Sequence, residues 1–498
     1  MTIDTLWNFT VIFLEVLAVG LSLVLGLLVV SVIYMYIVDR TQTAQTIRRN
    51  YPVIGRFRYL FEHMGSFFRQ YFFAQDREEL PFNRAQRSWV YRAAKNVDST
   101  VAFGSTHPIN QPGDFLFLNG PFPPLEEEAL PLRDIIFGMG YAEKPYSTTS
   151  FFNISAMSYG ALSAPAVLAL SKGAREAGIW LNTGEGAISP YHLEGGCDLV
   201  FQIGTAKYGV RDDNGELCDQ KLREVAAHEQ VRMFEIKLSQ GAKPGKGGIL
   251  PGEKVDAIIA KTRGIPEGVD SISPNRHPDI ACIEDLLNMI QRIRAVTGKP
   301  VGIKAVVGQT HWLDELFEAI KEKGLEYAPD YFSVDSADGG TGAAPQSLID
   351  NVGLPLRRSL PIVVDKLKAH GLRERIRVVG SGKLINPADV AAALCMGADC
   401  ANSARGFMLA LGCIQALQCN KNTCPTGITT HNKDLQRGLV PTDKAHRVAS
   451  YAKTMMHEVE VIAHSCGVRE PGQLGRQHAQ IINEAGLPES LDDLRYAS

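Results

Sequence analysis

One long apolar run, then a repeated apolar and polar rhythm, organises this chain. Residues 16–38 read VLAVGLSLVLGLLVVSVIYMYIV, 23 residues without a charge. At about 1.5 Å per residue they predict a helix of about 34 Å, enough to cross a hydrocarbon core of about 30 Å. Tyr34 and Tyr36 near one end suit a membrane interface. Beyond them come Arg40, Arg48, Arg49, Arg56, Arg58 and Arg69, with Glu62 the only acid between them. That bias predicts a single-pass anchor in the inner (cytoplasmic) membrane, the short N-terminus outside and the body in the cytoplasm. A buried core helix is the plain alternative, disfavoured by the length and the flanking arginines.

From about residue 150 short apolar runs end in Gly, Ser, Asp or Asn and are followed by Ala- and Leu-rich helical stretches. The expected strands are 151–156, 179–183, 198–203, 232–238, 301–307, 331–335, 376–380 and 399–403, and the expected helices include 163–177, 283–295, 311–323 and 386–396. Eight strands with intervening helices predict an α/β fold, a (β/α)8 TIM barrel. The domain expectation is an anchor at 1–39, a lead-in rich in Arg and aromatics at 40–148, the barrel at 149–445 and a helical segment at 446–498. Within the lead-in, Phe57, Tyr59, Phe61, Phe67, Phe68, Tyr71, Phe72 and Phe73 suit either an amphipathic membrane-surface layer or packing against the main domain. The stretch 107–146 reads as irregular.

Composition changes this picture little. The 498 residues carry 51 basic and 54 acidic side chains and are 45% hydrophobic, which excludes a mainly disordered chain and gives no reason to expect nucleic-acid binding. Nine cysteines, three of them between 413 and 424, do not form the pattern of a disulfide framework; a reducing compartment with a metal or cluster site fits better.

In such a barrel a phosphate is often held by the loops after strands 7 and 8. Here those loops contain Gly380-Ser381-Gly382 and Ser403-Ala404-Arg405-Gly406. Glycine admits backbone N–H groups close to a phosphate and Arg405 adds charge. No G-x-G-x-x-G stands between a strand and a helix with an acid downstream, so flavin mononucleotide is favoured over a nicotinamide cofactor in a Rossmann domain. Cys413-x5-Cys419-x4-Cys424 offers soft thiolates for an iron–sulfur cluster; zinc, with His431 completing the set, fits the spacing poorly.

Taken together, SAMSYGALS (155–163), NTGEG (182–186), EIKLSQGAKPGKGGILPGEKV (235–255), ISPNRHPDIACIEDL (272–286), DGGTGAAP (338–345) and GCIQALQCNKNTCPTGITT (412–430) resemble the FMN-binding domain of glutamate synthase. The whole chain looks like the short, membrane-anchored bacterial forms of that family. The resemblance implies a barrel of the FMN-dependent type and a [3Fe–4S] cluster on Cys413, Cys419 and Cys424. It implies FMN contacts from Ser158, Gly160, Lys304, Gly339, Gly340, Gly380, Ser381, Gly382, Arg405 and Gly406. Lys304 matches a lysine beside the flavin, Glu185 and Glu284 match catalytic glutamates, and Lys243 and Arg263 match the cations that hold the keto-acid carboxylates. The implied reaction reduces 2-iminoglutarate, formed from 2-oxoglutarate and ammonia, to L-glutamate.

One departure concerns the substrate: Ile249 stands where the family carries a substrate-contacting glutamine. The family's amidotransferase and NADPH-binding domains have no counterpart in the sequence. Ammonia is therefore expected free or from a separate amidotransferase, and electrons from an external donor, a ferredoxin or a membrane redox partner. The alternatives are a flavin/iron–sulfur oxidoreductase acting on another amino or keto acid, and a non-catalytic electron-transfer or scaffold protein.

Overall fold

A computed structural model describes residues 3–493. The chain forms two compact units, Met1–Ala85 and Gln86–Ser498. The first opens with helix α1 (Ile3–Thr41), a 39-residue helix that includes the whole apolar run. Helices α2 (Thr46–Asn50) and α3 (Gly55–Phe68) come next. The α1 helix is long and apolar enough to cross a membrane.

The second unit is built on a closed eight-stranded parallel barrel. Its strands are β1 (Phe152–Ile154), β2 (Leu181–Asn182), β3 (Leu199–Ile203), β4 (Val231–Lys237), β5 (Val301–Val306), β6 (Tyr331–Asp335), β7 (Arg377–Ser381) and β8 (Cys400–Ser403). Each falls within, or one residue beyond, the predicted run, because strands covered on both sides read as near-continuous apolar stretches. The four predicted helices form as Ala164–Ala177, Ile283–Thr297, His311–Lys323 and Pro387–Cys395.

Two segments differ from the sequence reading. The stretch 107–146 contains ordered structure: Ile135–Phe137 pairs antiparallel with Tyr146–Thr148. Its fully buried Phe137 packs edge-on against Trp180 and Tyr331, the first just before β2 and the second opening β6. This hairpin therefore plugs the N-terminal end of the barrel. Second, among the described residues the C-terminal segment is α-helical over Pro441–Ser465 and then passes into short 3-10 turns and strands. Gly467, Pro471 and Gly472 then break the helix, and Ala479–Ile482 pairs with both Phe115–Phe117 and Pro488–Ser490 in a three-stranded antiparallel sheet.

Candidate active site

Strand parity places Glu235 and Lys237 of β4, Lys304 of β5, Ser333 and Asp335 of β6 and Ser381 of β7 in one set of adjacent, buried positions. In a parallel barrel such residues near the carboxyl ends of strands face the mouth. Glu235 is held by polar partners, accepting from Asn182 Nδ2 at 2.9 Å and Gln202 Nε2 at 2.7 Å. Above it, Lys237 Nζ lies 2.9 Å from Glu185 Oε1. Lys304 Nζ lies 3.9 Å from Asp335 Oδ2, and Asp335 also accepts from the Gly241 N–H at 2.8 Å.

Burial of Glu185 pushes its carboxyl up, but Lys237, Lys243 and Arg263 more than offset this and hold it down at about 2. Burial depresses the Lys237 ammonium, and Lys304 adds to that effect. Lys243 is brought down to about 8, by burial first and by Lys237 next. A carboxylate kept ionised amid three cations thus sits on the loop after β2.

Arg263 approaches from the helix Ala257–Arg263. Its guanidinium donates to Ser271 Oγ at 3.1 Å and to the Tyr159 carbonyl at 3.2 Å, and its buried Nε has no hydrogen-bond partner among the described residues. Gly160, at φ +104°, is what admits it: a Cβ there would stand 3.0 Å from Arg263 Nη2. Half-buried Ser158 lies beside Gly184 and Gly186, on the same side as Arg263. Glu284 is not brought to this group; it is 71% exposed and paired with Lys323 at 3.0 Å.

The expected phosphate loops converge. The Ser336 N–H donates to the Ser381 carbonyl at 2.7 Å, Lys383 pairs with Asp338 at 2.8 Å, and Arg405 Nη2 donates to the Asp338 carbonyl at 3.2 Å. Gly340 abuts Arg405, Gly339 lies in the same turn as Ser336, and Gly382, at φ +129°, packs its Cα against Ser336, where a Cβ would clash at 2.2 Å. Gly380 lies in the buried part of β7, and Gly406 stands one residue after Arg405. Burial lowers the Arg405 guanidinium to about 10, against the pull of Asp338 and Asp335. Glycine-bearing loops around a half-buried cation suit a phosphate group, so the residues present fit the FMN expected there.

Cys413, Cys419 and Cys424 lie on one loop as free thiols that interact electrostatically with one another. Burial pushes Cys413 up to about 12, whereas Thr426 and Thr429 overcome burial to hold Cys424 below its usual value. Tyr91 donates to the Cys413 carbonyl at 2.7 Å. Buried Lys254 donates to the carbonyls of Cys419 and Thr429, each at 2.7 Å. Among the described residues no three His, Cys, Asp or Glu side chains converge as a single metal ion requires. His431 is turned to the Gly160 carbonyl at 3.0 Å, which tells against zinc.

Sequence reasoning passed over Lys237, Asp335 and the Glu235 network. A lysine ending an apolar strand was the available signal for Lys237. His277, buried and held neutral with its pKa down at about 4, approaches the Lys237 carbonyl at 3.1 Å.

Charged groups this deeply buried at the carboxyl ends of barrel strands mark a (β/α)8-barrel enzyme with its chemistry at the mouth. Comparison with known proteins specifies which. The family described as "Conserved region in glutamate synthase" matches residues 126–469. A glutamate synthase large subunit-like protein of Bacillus subtilis (strain 168) is 36% identical, over 95% of this chain and 97% of its own length. An archaeal-type glutamate synthase [NADPH] of Thermotoga maritima is 35% identical over 67% of this chain; the match spans 62% of that longer protein. Among solved structures, a mutant of an active chimera of (S)-mandelate dehydrogenase is similar at 13% identity and TM-score 0.48, covering 74% of this chain and 88% of that one. The chain belongs to the glutamate synthase family and is an oxidoreductase acting on amino or imino groups.

Proposed function

We propose that the protein is a membrane-anchored, FMN- and [3Fe–4S]-dependent oxidoreductase that reduces 2-iminoglutarate, formed from 2-oxoglutarate and ammonia, to L-glutamate. An external donor, a ferredoxin or a membrane redox partner, supplies the electrons. The observation that carries the reading is the Glu185–Lys237 pair at the mouth, with Lys243 and Arg263 around it.

FMN, when bound, supplies a two-electron carrier, and Ser158, Gly160, Gly339, Gly340, Gly380, Ser381, Gly382, Arg405 and Gly406 would hold it, with Lys304 beside it. Lys243 and the Nε of Arg263 offer positive charge and an unspent donor to the keto-acid carboxylates. Glu185, held ionised, acts as the anionic partner of an ammonium or protonated imine; with a pKa of about 2 it is a poor proton donor. Lys237 fixes that carboxylate in place. Cys413, Cys419 and Cys424 would carry the cluster, with Lys254 against their loop. The α1 helix is the anchor, and the arginines beyond it support a barrel on the cytoplasmic side.

A second reading, reduction of a different amino- or keto-acid pair, is favoured by Ile249. It is 46% exposed and adjoins Gly248, which packs against the Glu185 carboxylate. Detergent-purified protein, reduced anaerobically, tests both. Flavin reoxidation on adding 2-oxoglutarate and ammonium, with glutamate formed, is expected; no reoxidation would transfer the assignment to another substrate.

A further inference from the structure

The last turn of α1 is fastened to α2 and α3 by a single buried carboxylate. Asp39 is fully buried and accepts from Arg48 Nε at 2.8 Å and Nη2 at 2.6 Å, and from Arg56 Nε at 2.8 Å and Nη2 at 2.9 Å. The Val53 N–H adds a fifth bond at 2.9 Å. Two guanidiniums, one in α2 and one in the first turn of α3, are thereby tied to the first charged position after the apolar run. This elbow fixes where α3 begins relative to the end of α1.

From there α3 is strongly two-faced. At about 100° per residue, Phe57, Leu60, Phe61, Met64, Phe67 and Phe68 fall in an arc of about 120°, with Arg58, Tyr59, Glu62 and His63 opposite. A globular protein buries such a stripe. Here Phe57, Phe61 and Phe67 are each more than half exposed, and no described side chain of α3 after Gly55 is buried. The apolar surface continues through Phe72 and Phe73, 69% and 74% exposed. Arg40, Arg49, Arg58 and Arg69 are exposed around it.

We infer that α3 lies in the plane of the bilayer surface, its aromatic stripe at the acyl–headgroup boundary and its arginines against anionic lipid phosphates, as a second membrane attachment. This rests on the anchor reading of α1 and deepens it. If α1 spans the membrane, Asp39 stands at the headgroup level, and the elbow starts α3 at that depth. A helix lying there sinks its apolar face about 5–10 Å into the boundary, a depth that aromatic side chains reach. The charge suits an anionic leaflet: the exposed arginines outnumber Glu62, the only acid between them, and the two arginines on the single carboxylate of Asp39 leave that group net positive as well.

The test uses the full-length protein in nanodiscs of phosphatidylcholine and phosphatidylglycerol. Photoreactive benzoylphenylalanine replaces Phe61, Arg58 or Leu25 in turn, and adducts are identified by mass spectrometry. The expected result is lipid adducts at 25 and 61, several-fold fewer at 58. Lipid at 25 without lipid at 61, equal lipid labelling at 58 and 61, or protein adducts at 61 (a second copy or another polypeptide) would each overturn the inference and leave the anchor standing. No lipid adduct at 25 would overturn the anchor reading itself, and the inference with it. Where the Phe61 replacement does not accumulate, Phe57 on the same face takes its place.

Discussion

Lys237 and Lys304 are register partners on neighbouring parallel strands, two buried ammonium groups side by side at the barrel mouth. Each stands beside its own carboxylate, Glu185 at 2.9 Å and Asp335 at 3.9 Å. The barrel forces the proximity: once β4 and β5 pair in this register, the two side chains share a face. Like charges so placed persist only if anions face them. Glu185 and Asp335 provide part of that charge, and an anionic ligand would provide more.

Lys237→Met should therefore be costly. It leaves Glu185 largely buried without its closest cation, and breaking a buried pair from one side costs about 3–5 kcal/mol. Thermal unfolding should shift strongly downward, and Glu185→Gln in the same chain should recover part of the loss. If Glu185→Gln changed stability by the same amount in the Lys237→Met chain as in the native one, the two residues would not be energetically coupled.

Lys243 gives a pH dependence with a definite sign. Its ammonium is charged below about pH 8 and neutral above. If it holds a substrate carboxylate, kcat/KM for the keto acid falls as pH rises through about 8. The guanidinium of Lys243→Arg stays charged over that range, so its profile should lose this limb. An unchanged alkaline limb in the variant would mean that the titrating group lies elsewhere.

How much the sequence made legible depends on how each element is built. The barrel strands are buried on both sides and mostly apolar, so Val301–Val306 and Tyr331–Asp335 stand out without knowledge of their neighbours. Arg405, Gly382 and the three cysteines are visible because glycine punctuation and cysteine spacing are local. The Glu185–Lys237 pair is not local: its partners are 52 positions apart and meet only when the barrel closes. The plugging hairpin was hidden for a related reason, since Phe137 acquires its meaning from Trp180 and Tyr331. Glu284 shows the opposite case: it stands in a matching motif, yet the fold leaves it on the surface, paired with Lys323.

The cysteine loop makes a separable prediction. If the loop carries the proposed cluster, Cys413→Ser, Cys419→Ser and Cys424→Ser should each lower bound iron and abolish its EPR signal while flavin absorbance remains. Lys254→Met leaves the thiols in place but removes the donor that braces the carbonyls of Cys419 and Thr429. Iron should then bind but be lost faster to a chelator. Full iron retention in Cys424→Ser would exclude that residue as a ligand.

Ile249 separates the two substrate readings. It lies in a two-stranded ribbon opposite Ile272, itself 65% exposed, so Ile249→Gln removes little packing and stability should change by less than about 0.5 kcal/mol. A glutamine side chain there is next to Gly248, against which the Glu185 carboxylate packs, and gains a donor and an acceptor. If 2-oxoglutarate is the substrate and Ile249 is only tolerated, the variant should lower KM for it with kcat little changed, the mark of added uniform binding. If the protein acts on a more apolar acid, the same change should instead raise KM for that acid, because a polar group would be desolvated without a partner. Steady-state assays of both proteins across a keto-acid panel, with ammonium fixed, read the difference directly.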